Sequence, residues 1–488
     1  MRNKSRRTGW LEWAFCLAAS AVLLMLCSMN SPLYPLNPWG DVNCFVTVAR
    51  EMLEGVMPYR DLIEQKGPLL YAVYALAMLI SPRSYFGIYL IEVLLMSGTM
   101  LLFCRTARLF VPKMHIGWSA AACGVLCAAS SFSAGGSAEE LCMLPVAASM
   151  YALMKSWKEG RPLTGWQYFL NGVAAGCIFW IKFNLLGFHF AWMGFQAVEA
   201  LVRDRNLRRP VKMCRWFVGG MAAAAVPWLI WFGMDGALVE MLDVYLYRNA
   251  FYYRTSDRLL KRIAMAILVT FKDWRMCLLM VSALLGVTVF GKGRVSGRVR
   301  LFLLAVASAV FLSVYCIGRF MHYYPLVLAL FTPFALIPFG VLGERLRVRR
   351  GGIAAGAVLL AVSVCFALTD ENLQYIGCDY ADTVQGQAAA LTAEMDEPLL
   401  LNVNALDAGL YMALDAHPAD EWFVQLNYDR EACRQAQREC IAAGIPDLVA
   451  CVNASMEELE MGGDYELLGE LNSDFARSPT VYLYRKRA

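Results

Sequence analysis

Apolar runs of about bilayer length recur along the chain, at residues 10–29, 83–104, 114–133, 141–157, 166–181, 183–202, 214–234, 274–291, 299–318, 323–343 and 352–369. A hydrocarbon core takes about 20 mostly apolar residues per helix, so the pattern predicts about eleven transmembrane helices. The polar breaks are short, and every second one is basic. Arg2, Lys4, Arg6 and Arg7 open the chain; Arg105, Arg108 and Lys113 follow, then Lys155, Lys158 and Arg161. The series continues through Arg203–Arg215, Lys292–Arg300 and Arg345–Arg350. Lys and Arg in short loops resist translocation, so these clusters are expected on the cytoplasmic side. A thirteen-residue apolar run at 68–80, "PLLYAVYALAMLI", is short for a crossing. If it crossed, every later basic cluster would change sides, so it is expected as an interfacial or re-entrant helix. The amino terminus is then cytoplasmic, and residues 31–82 form an outer loop.

After residue 369 the period changes. Short apolar stretches ("EPLLLNVNA", "PDLVACVN", "TVYLYR") alternate with a helical "DREACRQAQRECIAAG", which predicts strands and a helix of a small α/β domain. The expected fold is therefore an all-α polytopic membrane protein, residues 1–369, with a small extracytoplasmic α/β domain at 370–488. Composition agrees: of 488 residues 59% are hydrophobic and only 17% charged, with a mean hydropathy of +0.47, far from an ordinary soluble domain. The net charge of +4 is spread over loop clusters rather than one basic face, so no nucleic-acid partner is expected. The sixteen cysteines are scattered and show no metal-ligand spacing. Cys433 and Cys440 stand about 10 Å apart on a predicted helix, too far for a disulfide. The opening "MRNKSRR" precedes a run longer than a signal-peptide core and without a small-residue cleavage motif, so a retained anchor is expected.

Against this background one stretch stands out, "NPWGDVNCFVTVAREMLEGVMPYRDLIEQKGPLLY" at 37–71. Asp41 lies about a dozen residues past the first run, close to the outer interface. The apolar positions 42, 45, 46, 48, 49, 52 and 53 that follow it predict an amphipathic helix along the membrane surface. Asp41 suits both a helix N-cap and a functional carboxylate. Three further outer elements carry polar groups: Glu139 and Glu140 in "SAGGSAEELCMLP", Lys182 in "WIKFN", and Arg319, His322, Tyr323 and Tyr324 in "GRFMHYYPL". Solvated loops explain each one alone. Four at one face read together as a site. Glu92, inside the second run, is costly unless it faces the bundle. Residues 235–262 mix aromatics with cations, as an interfacial belt or as a lid bringing in Tyr247, Arg248 and Arg254.

With Asp41 ahead of it, "LEGVMPYRDLIEQKGPLLY", followed by "AEE" at 138–140 and "HYYP" at 322–325, resembles the polyprenyl-phosphate-dependent glycosyltransferases of the GT-C fold. Protein O-mannosyltransferases and the lipid A aminoarabinose transferase belong to that group. The resemblance covers about residues 10–345; "KGP" stands where members carry "KPP". It implies inverting transfer of a sugar from a polyprenyl-phosphate donor to a hydroxyl of an envelope glycan, lipid or protein acceptor, at the outer face of the membrane lipid. Asp41 is the implied base. Glu139 or Glu140 matches a second acidic position that orients the acceptor or holds a divalent cation, although the acidic residues form no complete ligand set. Lys66, Arg60, Lys182 and Arg319 are the candidates for the donor phosphate, joined by His322 and Tyr324; His322 suits an interfacial anchor equally well. Tyr59, Asp61, Glu64 and Arg248 are placed around the acceptor. The rival class is a multi-span transporter or lipid-linked sugar flippase. Against it, no inverted repeat or mid-membrane charge pairing is evident.

Overall fold

The computed structural model describes residues 2–252, 258–316, 320–346 and 352–487. Among the described residues, each of the eleven apolar runs contains helix, and six helical segments are long and apolar enough to cross a membrane: Gly9–Cys27, Phe86–Arg108, Gly165–Asp204, Arg208–Met234, Gly297–Tyr315 and Tyr324–Arg345. The runs at 114–133, 274–291 and 352–369 form the shorter helices Gly117–Cys127, Trp274–Thr288 and Ile353–Ala367. At 1.5 Å per residue the first of these reaches about 16 Å, half the hydrocarbon thickness. Among the described residues, the eleven runs therefore do not give eleven helices of spanning length.

The chain divides into two compact units. The first comprises residues 1–28, 90–227 and 256–373. Within it, Gly165–Asp204 is a hairpin. Lys182 takes extended backbone angles (φ −161°, ψ 97°) and a 3₁₀ turn, Phe183–Leu186, follows. Tyr168 on the first arm then donates to the side-chain carbonyl of Gln196 on the second at 3.0 Å. A continuous helix would hold those residues about 40 Å apart. The first arm also packs closely on Arg208–Met234: a Cβ on Gly172 would stand 1.9 Å from the Phe217 carbonyl oxygen, and one on Gly220 would stand 2.0 Å from that of Phe169. Small residues are how helices approach closely where lipid supplies no hydrophobic drive.

The second unit comprises residues 29–89, 228–255 and 374–488. Its sheet contains β1 (Leu399–Val403), β2 (His417–Pro418), β3 (Leu448–Val452), β4 (Tyr465–Leu471) and β5 (Val481–Lys486), in the order β2-β1-β3-β5-β4. β1 pairs in parallel with β2 and β3, while β5 runs antiparallel to β3 and β4. The central β3, "LVACV", is buried throughout, as a strand covered on both faces must be. The helix Arg430–Ala442 lays Cys440 and Ile441 against Leu401, Val403, Val449 and Cys451. All sixteen cysteines, Cys433 and Cys440 included, are free. The α/β tail expected from the sequence is present. β2 and β4 had no clear apolar alternation to announce them: β2 has two residues, and the burial of "YELLGEL" is irregular around a bulge between Leu467 and Gly469.

The helix after the first run spans Gly40–Leu53 and corrects one expectation. Its N-cap is Trp39, which makes no side-chain cap bond, and Asp41 lies in the first turn; the carboxylate is not the cap. The helix is also covered on more than one stripe, since residues 41–49 and Glu51 are buried. Val48 and Met52 extend the apolar surface beyond one stripe. The helix packs on Pro68–Ile80 through Phe45 and Tyr74 (ring centroids 5.3 Å) and on the tail through Thr47, whose hydroxyl donates to Asp407 at 2.7 Å.

Burial raises the Asp407 carboxyl to about 6, against bonds from Thr47 and the Gly409 N–H that favour its charged form. The unfolded chain loses this proton near pH 4 and the folded chain holds it to about pH 6. Stability is therefore expected to fall as pH rises across that interval, then to level off. Asp407→Asn should remove the decline and raise Tm at pH 7.5 while changing it little at pH 4. Thermal unfolding of the detergent-solubilised protein across pH 4–8 checks this; an undiminished decline in the variant would contradict it.

Candidate functional site

Two buried polar clusters gather most of the residues singled out in the sequence, one in each unit. In the second unit, Asp41 and Glu64 both face the Lys66 ammonium, each with a carboxylate oxygen 3.9 Å from Nζ. All three are buried. The short "IEQKGP" segment is fastened by its backbone: the Lys66 N–H donates to Glu64 at 2.8 Å, and the Tyr59 hydroxyl donates to the Lys66 carbonyl at 2.6 Å. Tyr71 donates to Glu64 and receives the Lys66 N–H at 3.0 Å. The ammonium also stands 5.1 Å from the Phe45 ring centre, a cation–π contact. Phe45 and Tyr71 were not singled out from sequence. Tyr71 closes the charged stretch one helical turn past "KGP", which is the signal that could have found it.

Arg60 is engaged elsewhere. Its guanidinium binds the adjacent Asp61 through two nitrogens (2.7 and 2.8 Å) and the Asp235 carbonyl at 3.0 Å, at an exposed position. That pairing, with the Met57 N–H, holds the Asp61 carboxyl below the usual range. Asp61 and Arg60 thus close the loop through each other. Tyr59 sits at φ 71°, a left-handed conformation rare for an aromatic residue. Its ring is held there among Tyr71, Phe232 and Tyr245. Asn249 donates to the Gln65 carbonyl at 2.7 Å, so the 228–255 segment borders this cluster. Arg248 pairs with Asp243 at 2.7 Å and faces Asp429 at 3.8 Å and the Trp422 ring at 6.0 Å. Tyr247 is exposed. Arg254 lies outside the described residues.

In the first unit, Lys182 at the hairpin reversal donates to Glu139 at 2.6 Å. Its ammonium lies 4.3 Å from the Tyr324 ring centre and 5.0 Å from that of Tyr323. Ser137 caps the helix Ala138–Glu159 by accepting the Glu140 N–H, which fixes where both glutamates point. Glu140 turns away from Lys182: its carboxylate and that of Glu92 both accept the Gly136 N–H, at 3.0 and 2.6 Å. Glu92 also accepts from Ser28 at 2.8 Å, so it faces the bundle as its burial requires. One oxygen of Glu139, Oε2, and one of Glu140, Oε1, are buried without a hydrogen-bond partner. His322 is exposed, 3.3 Å from the Ser133 hydroxyl, and Arg319 lies outside the described residues. The sequence left Glu139 and Glu140 equivalent; the structure separates them.

Among the described residues, neither Glu139 nor Glu140 belongs to a group of three potential metal ligands. Lys182 already neutralises Glu139, and among the described residues the group of three or more potential metal ligands is Glu51, Glu54 and His417. Truncation Glu139→Ala strands a buried ammonium, and breaking such a pair costs about 3–5 kcal/mol. It is expected to lower Tm clearly, while Glu139→Leu combined with Lys182→Met recovers most of the loss. Thermal unfolding of the single and double variants measures this; an additive double loss would contradict the pairing.

No protein-family model matches the chain, and no curated protein matches it. Solved structures do. The structures of ArnT from Cupriavidus metallidurans, in the apo state and bound to undecaprenyl phosphate, each superpose with a TM-score of 0.63 over 98% of this chain and 98% of theirs, at 13% sequence identity. At that identity the likeness is one of fold, which the chain shares with ArnT over nearly its whole length.

Proposed function

We propose that the chain is an integral membrane glycosyltransferase that moves a sugar from a polyprenyl-phosphate donor to an acceptor hydroxyl at the outer face, with inversion. The observation that carries this is the buried Asp41–Lys66–Glu64 cluster in a fold shared with a protein solved with undecaprenyl phosphate bound. In the proposed step the acceptor hydroxyl gives its proton to Asp41 as its oxygen forms a bond to the anomeric carbon. The bond from that carbon to the phosphate oxygen breaks on the opposite side, as in inverting glycosidases. Polyprenyl phosphate leaves with the electron pair. Lys66 meets the charge that develops on the phosphate, and Glu64 with Tyr71 sets the segment that carries Lys66. Lys182, His322 and Tyr324 are assigned to the donor phosphate by the resemblance, which gives the acceptor to Glu139 or Glu140; Glu139 is the one we propose, because its buried Oε2 lacks a hydrogen-bond partner. Residues 1–369 as the membrane domain, with its eleven apolar runs as membrane segments of unequal length, the cytoplasmic amino terminus and an extracytoplasmic tail from 370 complete the proposal, resting on the alternation of basic loops.

The test uses membranes containing the chain and a polyprenyl-phosphate sugar labelled in the sugar. Free polyprenyl phosphate is expected to appear only when an envelope acceptor fraction is added. Movement of intact donor across the membrane without bond cleavage would favour a flippase instead.

A further inference from the structure

Away from the Lys66 cluster, the other end of the Gly40–Leu53 helix carries an arrangement that the proposed transfer does not use. Glu51 in the last turn, Glu54 at the C-cap and His417 on β2 bring one ligand atom each within 4.8 Å of one another. His417 Nδ1 lies 2.9 Å from Glu51 Oε1 and 3.7 Å from Glu54 Oε2. We propose that this trio binds a divalent transition-metal ion of the zinc class, locking the last turn of the helix that bears Asp41 to the edge of the tail sheet.

Three observations carry it. Tetrahedral zinc with bonds of about 2.0 Å holds its ligand atoms about 3.3 Å apart, and the two separations from His417 bracket that spacing. Electrostatics of the metal-free helix runs the wrong way: two glutamates three residues apart repel, and they sit at a helix C-terminus, where the backbone dipole disfavours anions. The nearest arginine, Arg50, does not settle them, because its guanidinium is engaged by the Tyr411 carbonyl at 2.9 Å and by Asp415. A dication relieves both conflicts at once. Burial is graded, with Glu51 buried, His417 half-buried and Glu54 exposed, so the open side admits the ion and leaves a water to complete four ligands. One imidazole with two carboxylates suits zinc over calcium or magnesium, which prefer all-oxygen shells. The metal braces and takes no part in chemistry.

The experiment is metal analysis of the full chain, purified in detergent without a polyhistidine tag, after incubation with zinc and dialysis. One equivalent of zinc is expected, with a rise in Tm that chelation reverses and that calcium and magnesium do not reproduce. His417→Ala and the milder Glu54→Gln, at an exposed position, should each weaken zinc binding by at least about tenfold. Wild-type protein without stoichiometric zinc, which would make His417 a plain hydrogen-bond partner of Glu51, overturns the proposal. So does undiminished binding in a folded Glu54→Gln variant.

Discussion

Asp41→Asn is expected to lower sugar transfer by about 10²–10⁴-fold, the contribution of a positioned general base, with folding and donor binding retained. The substitution keeps the shape of the side chain and removes its capacity to take a proton. It does not strand the neighbouring ammonium, because Lys66 keeps Glu64 at 3.9 Å. Nor does it uncap the helix, since Asp41 is not the cap. Tm within a few degrees of wild type and unaltered affinity for polyprenyl phosphate are therefore part of the expectation. Transfer within threefold of wild type would remove Asp41 from the mechanism.

Lys66→Met is expected to reduce kcat/KM by about 10²–10³-fold through loss of charge stabilisation at the leaving phosphate. Here the affinity for polyprenyl phosphate should fall in parallel, which separates the two residues by role. The variant is a clean deletion of charge. The bonds that fasten the segment run through the Lys66 backbone, from its N–H to Glu64 and Tyr71 and to its carbonyl from Tyr59, and the methionine stem still covers Phe45. Two buried carboxylates then lose the cation they share, so a clear drop in Tm, as for any broken buried pair, accompanies the loss. Unchanged product affinity beside reduced turnover would assign Lys66 to Asp41 rather than to phosphate.

Hydrophobic periodicity made the membrane architecture legible because apolar length is imposed by the bilayer, residue by residue. It could not set helix lengths: a run such as 114–133 reads alike whether eleven residues or twenty are helical. Nor could it separate Glu139 from Glu140, whose difference is made by Lys182, forty-odd positions away, and by Glu92 on another helix. Asp41, Glu64 and Lys66 were legible as a group because they lie close in sequence on one loop. Arg60, equally close and equally charged, is drawn off by its neighbour Asp61, a local competition that spacing does not reveal. The trio of Glu51, Glu54 and His417 escaped notice because its parts lie more than 360 positions apart and only the docking of β2 joins them.

The borders of the tail sheet have a consequence for life at high density. One border is a strand of two residues and the other is interrupted by a bulge, so neither presents a long row of open backbone donors and acceptors. Copies of a protein held in a plane collide side-on far more often than the same number in free solution. A long flat border would let them zip into ribbons; these frayed ones give a colliding neighbour little to grip.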